Sequence, residues 1–232
     1  MKARTMNPAL RVARRTWLPV ATSLALALTA CGGGGDDDTA PPPSPRPTVT
    51  ITPTAGAGAY RVAVDRGERV QVGTYLQASD GQGLVVLVGE DDKAQAVYRH
   101  SAGNTAGWLA AGHSPTAPIT FANQTAWTPE ATSLSQLAGV YRTLLANQDE
   151  AVLRLDASGT LSATGGDCQL SGRLSASTLP QAFEAEIRTQ GCSGLPSQFT
   201  GVALIDADYA PAQLRLINTD ANAVLELWLQ GE

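Results

Sequence analysis

Histidine is almost missing from this chain of 232 residues: His100 and His113 are its two copies, and neither has a cysteine or an acid at ligand spacing. That scarcity argues against a histidine-built metal centre or general base, since either needs the ring held beside a second reactive group. No Gly-x-Ser-x-Gly elbow is present, Gly191-Cys192-Ser193-Gly194 not being one, and Walker-type phosphate loops are missing too. Long helical periodicity is also lacking, and no apolar run reaches the roughly 20 residues of a membrane-spanning helix. The stretch from Trp17 to Ala30 holds about fourteen residues, mostly apolar, and contains Pro19. No catalytic residue, metal or cofactor is implied.

What is there begins with Lys2, Arg4, Arg11, Arg14 and Arg15, five basic side chains with no acid among the first thirty residues, followed by that short apolar stretch. This is the layout of an export signal over residues 1–30. Leu28-Thr29-Ala30-Cys31 closes it and resembles the lipobox of bacterial lipoproteins. The resemblance implies cleavage between Ala30 and Cys31, lipid attachment to the Cys31 thiol, and an outer-membrane address because Gly32 stands where an aspartate would favour retention in the inner membrane. At about 0.8 kcal/mol per buried CH2, two or three acyl chains would anchor the protein almost irreversibly.

Residues 31–47 join that cysteine to a stretch rich in Gly, Asp and Pro, with almost no apolar side chain, which reads as a flexible tether. Asp36, Asp37 and Asp38 lack the preorganised oxygens that calcium needs and read as solvated spacer. Removing the five basic residues of the signal leaves 11 basic against 21 acidic, a net charge of −10. A surface that acidic argues against nucleic acid or anionic lipid as a partner. The membrane contact expected is therefore the lipid on Cys31; any protein or small-molecule ligand is unknown.

From Thr48 onward, short alternating runs rich in Val, Leu and Thr are separated by turn residues, the pattern of an all-β fold in two antiparallel segments, residues 48–128 and 129–232. Strands are expected at Thr48–Thr52, Tyr60–Val64, Arg69–Gln77, Leu84–Gly89, Ala94–Arg99, Gly107–Ala111 and Ile119–Ala122. Eight more follow at Val140–Leu145, Ala151–Leu155, Gly159–Ala163, Cys168–Leu174, Ala182–Thr189, Phe199–Ile205, Gln213–Ile217 and Val224–Leu229. Eight strands with hairpin-length connections predict an up-and-down barrel, with a β-sandwich as the alternative. One helical turn, Ser133–Leu137 capped by Ser133, is expected between the segments. Ala57-Gly58-Ala59-Tyr60-Arg61 recurs as Ala138-Gly139-Val140-Tyr141-Arg142, 81 residues later. Each copy is followed by a turn containing Ala-Ser, at Ala78-Ser79 and Ala157-Ser158, so an internal duplication and chance are both open.

With Cys31 assigned to lipid, Cys168 and Cys192 are the thiols left in an exported chain, and a structural disulfide between them is expected. Matching apolar faces sets Leu174 opposite Phe183 and Cys168 opposite Thr189, with Cys192 folding back from a flexible loop. Glu90-Asp91-Asp92-Lys93 reads as a hairpin turn. Asp206 and Asp208 form a conceivable carboxylate pair, but a solvated loop before Pro211 explains them more simply. Of Trp108, Trp127 and Trp228, the last lies opposite in phase to Leu225, Leu227 and Leu229, and either face can be the inner one; with the leucines inside, it would touch a partner or, more simply, cover the outside of the barrel toward the first segment.

Beyond the lipobox, Cys31 to Gly35, Leu137-Ala138-Gly139-Val140-Tyr141, the Leu-x-Leu-Asp-x-x-Gly hairpin at Leu153 to Gly159 and Gly-x-Cys-x-Leu-x-Gly at Gly166 to Gly172 resemble a loose family of uncharacterised Gram-negative lipoproteins with a terminal β domain. The resemblance implies architecture and no activity. The expectation is a lipid-anchored cell-envelope binding or interaction module without catalytic activity. A structural or assembly spacer is the first alternative, and a hydrolase whose acids or histidines gather in one cleft is the second.

Overall fold

In the computed structural model, residues 46–232 are described apart from 68, 129, 164–166 and 221–222. Ala30, Cys31 and the three consecutive aspartates lie outside the described residues. The first segment contains β1 (Thr48–Val49), β2 (Ile51–Thr52), β3 (Gly58–Asp65), β4 (Val70–Gln77), β5 (Gly83–Val88), β6 (Ala94–His100), β7 (Trp108–Ala110) and β8 (Ile119–Trp127). They form one sheet in the order β1-β7-β6-β5-β4-β3-β8-β2. Only Thr50 separates β1 from β2 in the chain, yet they stand at opposite ends of that order. Residues 48–52 thus pair antiparallel with β7 on one side and parallel with β8 on the other, and bring the sheet nearly to closure.

β8 runs five residues beyond the expected end at Ala122. The reason is a bulge: Ala63 pairs with Asn123, but Val64 pairs with Phe121. The extra residue reverses the inside–outside phase, so a period-two reading stops where the strand continues. The same bulge lets Phe121 pack inward while Asn123 and Thr125 stay exposed.

The second segment is a closed barrel of β9 (Gly139–Leu144), β10 (Glu150–Leu155), β11 (Thr160–Ala163), β12 (Gln169–Ala176), β13 (Ala182–Gln190), β14 (Gln198–Leu204), β15 (Ala212–Asn218) and β16 (Glu226–Gly231). Every neighbour is antiparallel, and β16 returns to β9 through Gln230 opposite Arg142 and Gly231 opposite Tyr141. That closure excludes the sandwich. Its interior is filled by Leu153, Leu155, Leu161, Leu174, Ile187 and further apolar side chains, as expected of eight strands. Residues 133–137 make a single turn in which the Ser133 amide donates to the Gln136 side chain and the Leu137 amide to the Ser133 carbonyl.

Cys168 and Cys192 are disulfide-bonded. The register around them differs from the face-matching expectation by two residues: Leu174 lies opposite Ala185, Leu170 opposite Thr189, and Phe183 opposite Ala176. A shift of two preserves which side chains point inward, so apolar faces alone do not choose between the two registers. The extended ladder from Gln169 to Ala176 brings Cys168 almost opposite Cys192.

The run Gly83-Leu84-Val85-Val86-Leu87-Val88 is apolar throughout, the pattern of a strand covered on both faces. All six residues of β5 are buried. Val85 and Leu87 join Val62, Tyr75, Tyr98 and Trp108 inside the first sheet. Leu84 and Val86 face outward and, with Leu76 and Val97, pack against Leu179, Val202, Leu204 and Ile217 of the barrel. Each fully buried side chain of this kind is worth about 1.5–3 kcal/mol, so this shared core is the main bond between the sheets. Residues 44–232 accordingly form one compact unit. Gly112 marks a close approach: its φ is +54°, and a Cβ there would lie 2.5 Å from the backbone of Ala223 and Val224.

Candidate functional site: a groove between the sheets

Because both interiors are filled, the open space lies outside them. β16 alternates Glu226, Leu227, Trp228, Leu229, and the leucines are the buried members of the barrel core. Trp228 therefore points out of the barrel, toward the first sheet. There it lines a cleft of about 450 Å3 with Arg61, Val72, Thr74, Val88, Asp92, Asn123, Thr125, Asp208 and Tyr209 among its walls. On its other side it lines a cleft of about 350 Å3 with Lys93, Arg142, Thr143, Leu144, Glu150, Glu226 and Gln230. A broader depression of about 1180 Å3, holding Val70, Gln71 and Glu90, shares Val72 and Val88 with the first cleft and Lys93 and Glu226 with the second. The three depressions thus adjoin one another along the seam between the sheets, which forms the groove.

The large hydrophobic side chains that stand exposed among the described residues are Val70, Val72 and Leu144, at 66%, 53% and 60%. All three line this groove. Scattered apolar residues on a surface need no explanation, but their convergence on one concave surface does.

Two charge systems shape the floor, the first partly exposed and the second buried. Arg61 of β3 uses all five of its N–H bonds: Nε donates to Asp208, Nη1 to Thr74 and Asp206, and Nη2 to Asp206 and Asp208, at 2.6–3.1 Å. Its guanidinium also lies 4.4 Å above the Trp127 ring. Burial pulls the Arg61 pKa down, but hydrogen bonds and charge from Asp206 and Asp208 outweigh it and leave it above its ordinary value. Asp206, only 5% exposed, caps the single 3-10 turn Ala207–Tyr209 by accepting from the Asp208 amide. The expected solvated loop is thus corrected at Asp206, whereas Asp208 stays exposed at 71%.

Deeper in, Arg215 of β15 and Glu226 form an ion pair with both side chains 1–2% exposed, and Glu226 also accepts from the Ala94 amide of the first sheet at 2.6 Å. The Arg215 guanidinium stacks 3.6 Å from the Tyr209 ring. Its Nη1 and Nη2 are enclosed without an acceptor among the described residues, so the ring's electron-rich face is a major compensation for burying that cation. Tyr209 meets Trp228 edge-on at 5.8 Å. Burial raises the Tyr209 pKa; Arg215 opposes this, and Asp206, Glu226 and Asp92 reinforce it, so the phenol is neutral in the cleft.

The histidines take no part. Each ring nitrogen of His100 lies 2.9–3.0 Å from a backbone carbonyl, of Gly81 and Asn104, and the ring packs on Trp108 at 5.3 Å. His113 is exposed on a loop. Among the described residues, no group of three or more His, Cys, Asp or Glu is placed to hold a metal ion. The carboxylates of Asp92 and Asp208 do share one cleft. Sequence reasoning passed over Arg61, Asp92, Tyr209, Val72 and Leu144 as site residues. The local traces of the site are Trp228 standing out of phase with its leucines and Asp208 of the carboxylate pair, which lines the first cleft.

Compared with protein-family models, curated proteins and solved structures, the chain matches none.

Proposed function

We propose that this chain is a lipid-anchored cell-envelope protein that binds a ligand in the groove between its two sheets. The observation that carries the binding reading is the convergence of Val70, Val72 and Leu144 on the groove that Trp228 lines. The anchor rests on Leu28-Thr29-Ala30-Cys31 and the basic and apolar stretches before it. The resemblance to uncharacterised Gram-negative lipoproteins and the outer-membrane address belong to the same proposal. The barrel uses its own backbone hydrogen bonds in closing, so on its side of the groove recognition falls to side chains rather than to addition of a strand. A purely structural spacer leaves those apolar residues without a use. A hydrolase is the second reading, favoured by Asp92 and Asp208 lining one cleft.

Intact mass and membrane fractionation of wild type beside Cys31→Ser test the anchor: acyl mass and outer-membrane sedimentation in the wild type alone are expected. For the groove, Leu144→Cys or Val72→Cys in the Cys31→Ser chain supplies the sole free thiol for an environment-sensitive dye. A saturable shift on titration with solubilised outer membrane is expected at both positions. Silence at both positions leaves the spacer.

A further inference from the structure

We infer that the end of the groove walled by Asp92, Asn123, Asp208, Tyr209 and Trp228 is a saccharide-binding site. This rests on the binding reading above and names the chemistry of one part of that groove. The cleft, at about 450 Å3, falls within the range of small-molecule sites. What it offers a ligand is decided by which polar groups are still free.

Arg61 is not, since all five of its donors are used. With the one cation of the cleft neutralised and two carboxylates beside it, an anionic ligand is repelled. Asp92 has no hydrogen-bond or ion-pair partner for its side chain among the described residues, although its backbone is held in the left-handed region (φ 61°) by the turn whose amide donates to Gly89. Asp208 bonds Arg61 through Oδ2, which leaves Oδ1 as an acceptor. The Asn123 side chain accepts from Thr125 at 3.5 Å and keeps its NH2 as a donor. The Tyr209 hydroxyl makes no bond to another described residue and can donate or accept.

A wholly apolar ligand would lie against Asp92 and Asp208 and satisfy neither carboxylate. An ammonium or guanidinium group would satisfy the carboxylates and leave the Asn123 donor idle. A hydroxylated ring fits the whole set: its hydroxyls donate to Asp92 and Asp208 and accept from Asn123 and Tyr209. Its C–H face lies on the apolar wall of Val72, Val88 and Trp228. Trp228 has no acceptor for its indole N–H among the described residues, so packing alone holds the ring, and its fluorescence reports contact with that wall.

The full Cys31→Ser chain is applied to an array of bacterial-envelope and host glycans, and hits are titrated by tryptophan fluorescence, with Trp228→Phe as the control that loses the signal. Saturable binding of at least one glycan is expected, weakened about tenfold or more by Asp92→Gly and only a few-fold by Asp92→Asn, because the amide still accepts from a hydroxyl. Glycine and asparagine both tolerate the left-handed backbone at position 92, and unchanged melting curves exclude a folding defect. Putrescine, a diamine, is titrated in parallel. If putrescine binds and no glycan does, with Asp92→Asn as damaging as Asp92→Gly, the site is an amine site: the saccharide assignment falls and the binding groove stands. If neither binds while the dye at residue 144 still responds to outer membrane, the saccharide assignment falls alone. If the dye is silent as well, both readings fall together.

Discussion

In the first sheet the Tyr60 hydroxyl donates to the carbonyl of Gly56, and in the barrel Tyr141 donates to that of Leu137, each four residues back along the chain. Both tyrosines lie in a Gly-x-Tyr-Arg strand, and each of these strands is flanked by the strand that follows it and by the last strand of its own segment, β4 and β8 for β3, β10 and β16 for β9. The following turns match as well, but one residue away from the Ala-Ser alignment. Ala78 corresponds to Asp156: each amide donates to the carbonyl four residues on, at Gln82 and Thr160, and Gly81 and Gly159 take φ of +91° and +89°. From that common opening the segments diverge. The first is completed by residues 48–52, which precede its tyrosine strand, and has aromatic rings from Tyr60, Tyr75, Tyr98, Trp108 and Phe121 in or against its core. The second closes on itself, is filled mainly by leucines and carries the disulfide. Similar beginnings with different closures show that an opening strand and turn do not dictate how a sheet finishes.

The largest test of that contrast is the bond that only the barrel has. Cys168→Ser with Cys192→Ser should cost about 3 kcal/mol by the chain-entropy model. In urea, the shared core predicts one displaced transition in which hydrogen exchange accelerates in both sheets together; two separate transitions would make them independent. Next comes Arg61→Leu, which strands the buried Asp206 carboxylate and should cost about 2 kcal/mol. Adding Asp206→Asn should recover part of the loss in a double-mutant cycle. A smaller effect separates the paired tyrosines: Tyr141→Phe, at a buried site, should cost about 1 kcal/mol, and Tyr60→Phe, whose bond is exposed, a few tenths. Equal costs would show that burial is not what distinguishes them.

The smallest effect lies in the two matching turns and depends on pH. A backbone hydrogen bond from Gln82, with further bonds, lowers the pKa of Asp80 below 3.8, and bonds from Ser158 and Thr160 do so for Asp156. The stabilisation each contributes is present above 3.8 and is lost as pH falls through the lowered folded value. Asp156→Asn should therefore flatten the acid limb of melting temperature against pH, and Asp80→Asn should do so too; Asp156 braces its own hairpin through Ser158 and Thr160, whereas Asp80 also accepts from Thr178 of the barrel segment.

Period-two alternation and turn residues made all eight barrel strands legible, because inside–outside phase and hairpin connection are local properties of a meander. β8 was cut short because its bulge at residues 121–123 breaks that phase. The two-residue register error beside Cys168 arose because apolar faces repeat every two residues and leave even shifts degenerate. Between residues 48 and 232 Cys168 and Cys192 are the two cysteines in the sequence, which sufficed to pair them.

The groove was not legible in the same way. Arg61 and Asp206 are 145 residues apart, and no spacing within either neighbourhood announces the other. Asp92 read as part of an ordinary hairpin turn, and its placement near Tyr209 depends on how β5 packs against β14 and β15. By itself the sequence determined the strand number and meander order of the barrel and the disulfide, which follow from short-range pattern and available thiols, whereas the single strand expected at residues 48–52 is two strands at opposite ends of the first sheet. Only the tertiary structure decided that the two sheets share a core, that Arg61 is bound by Asp206 and Asp208, and that Val72, Leu144 and Trp228 line one groove, because those contacts form only when distant surfaces with no common period are brought together.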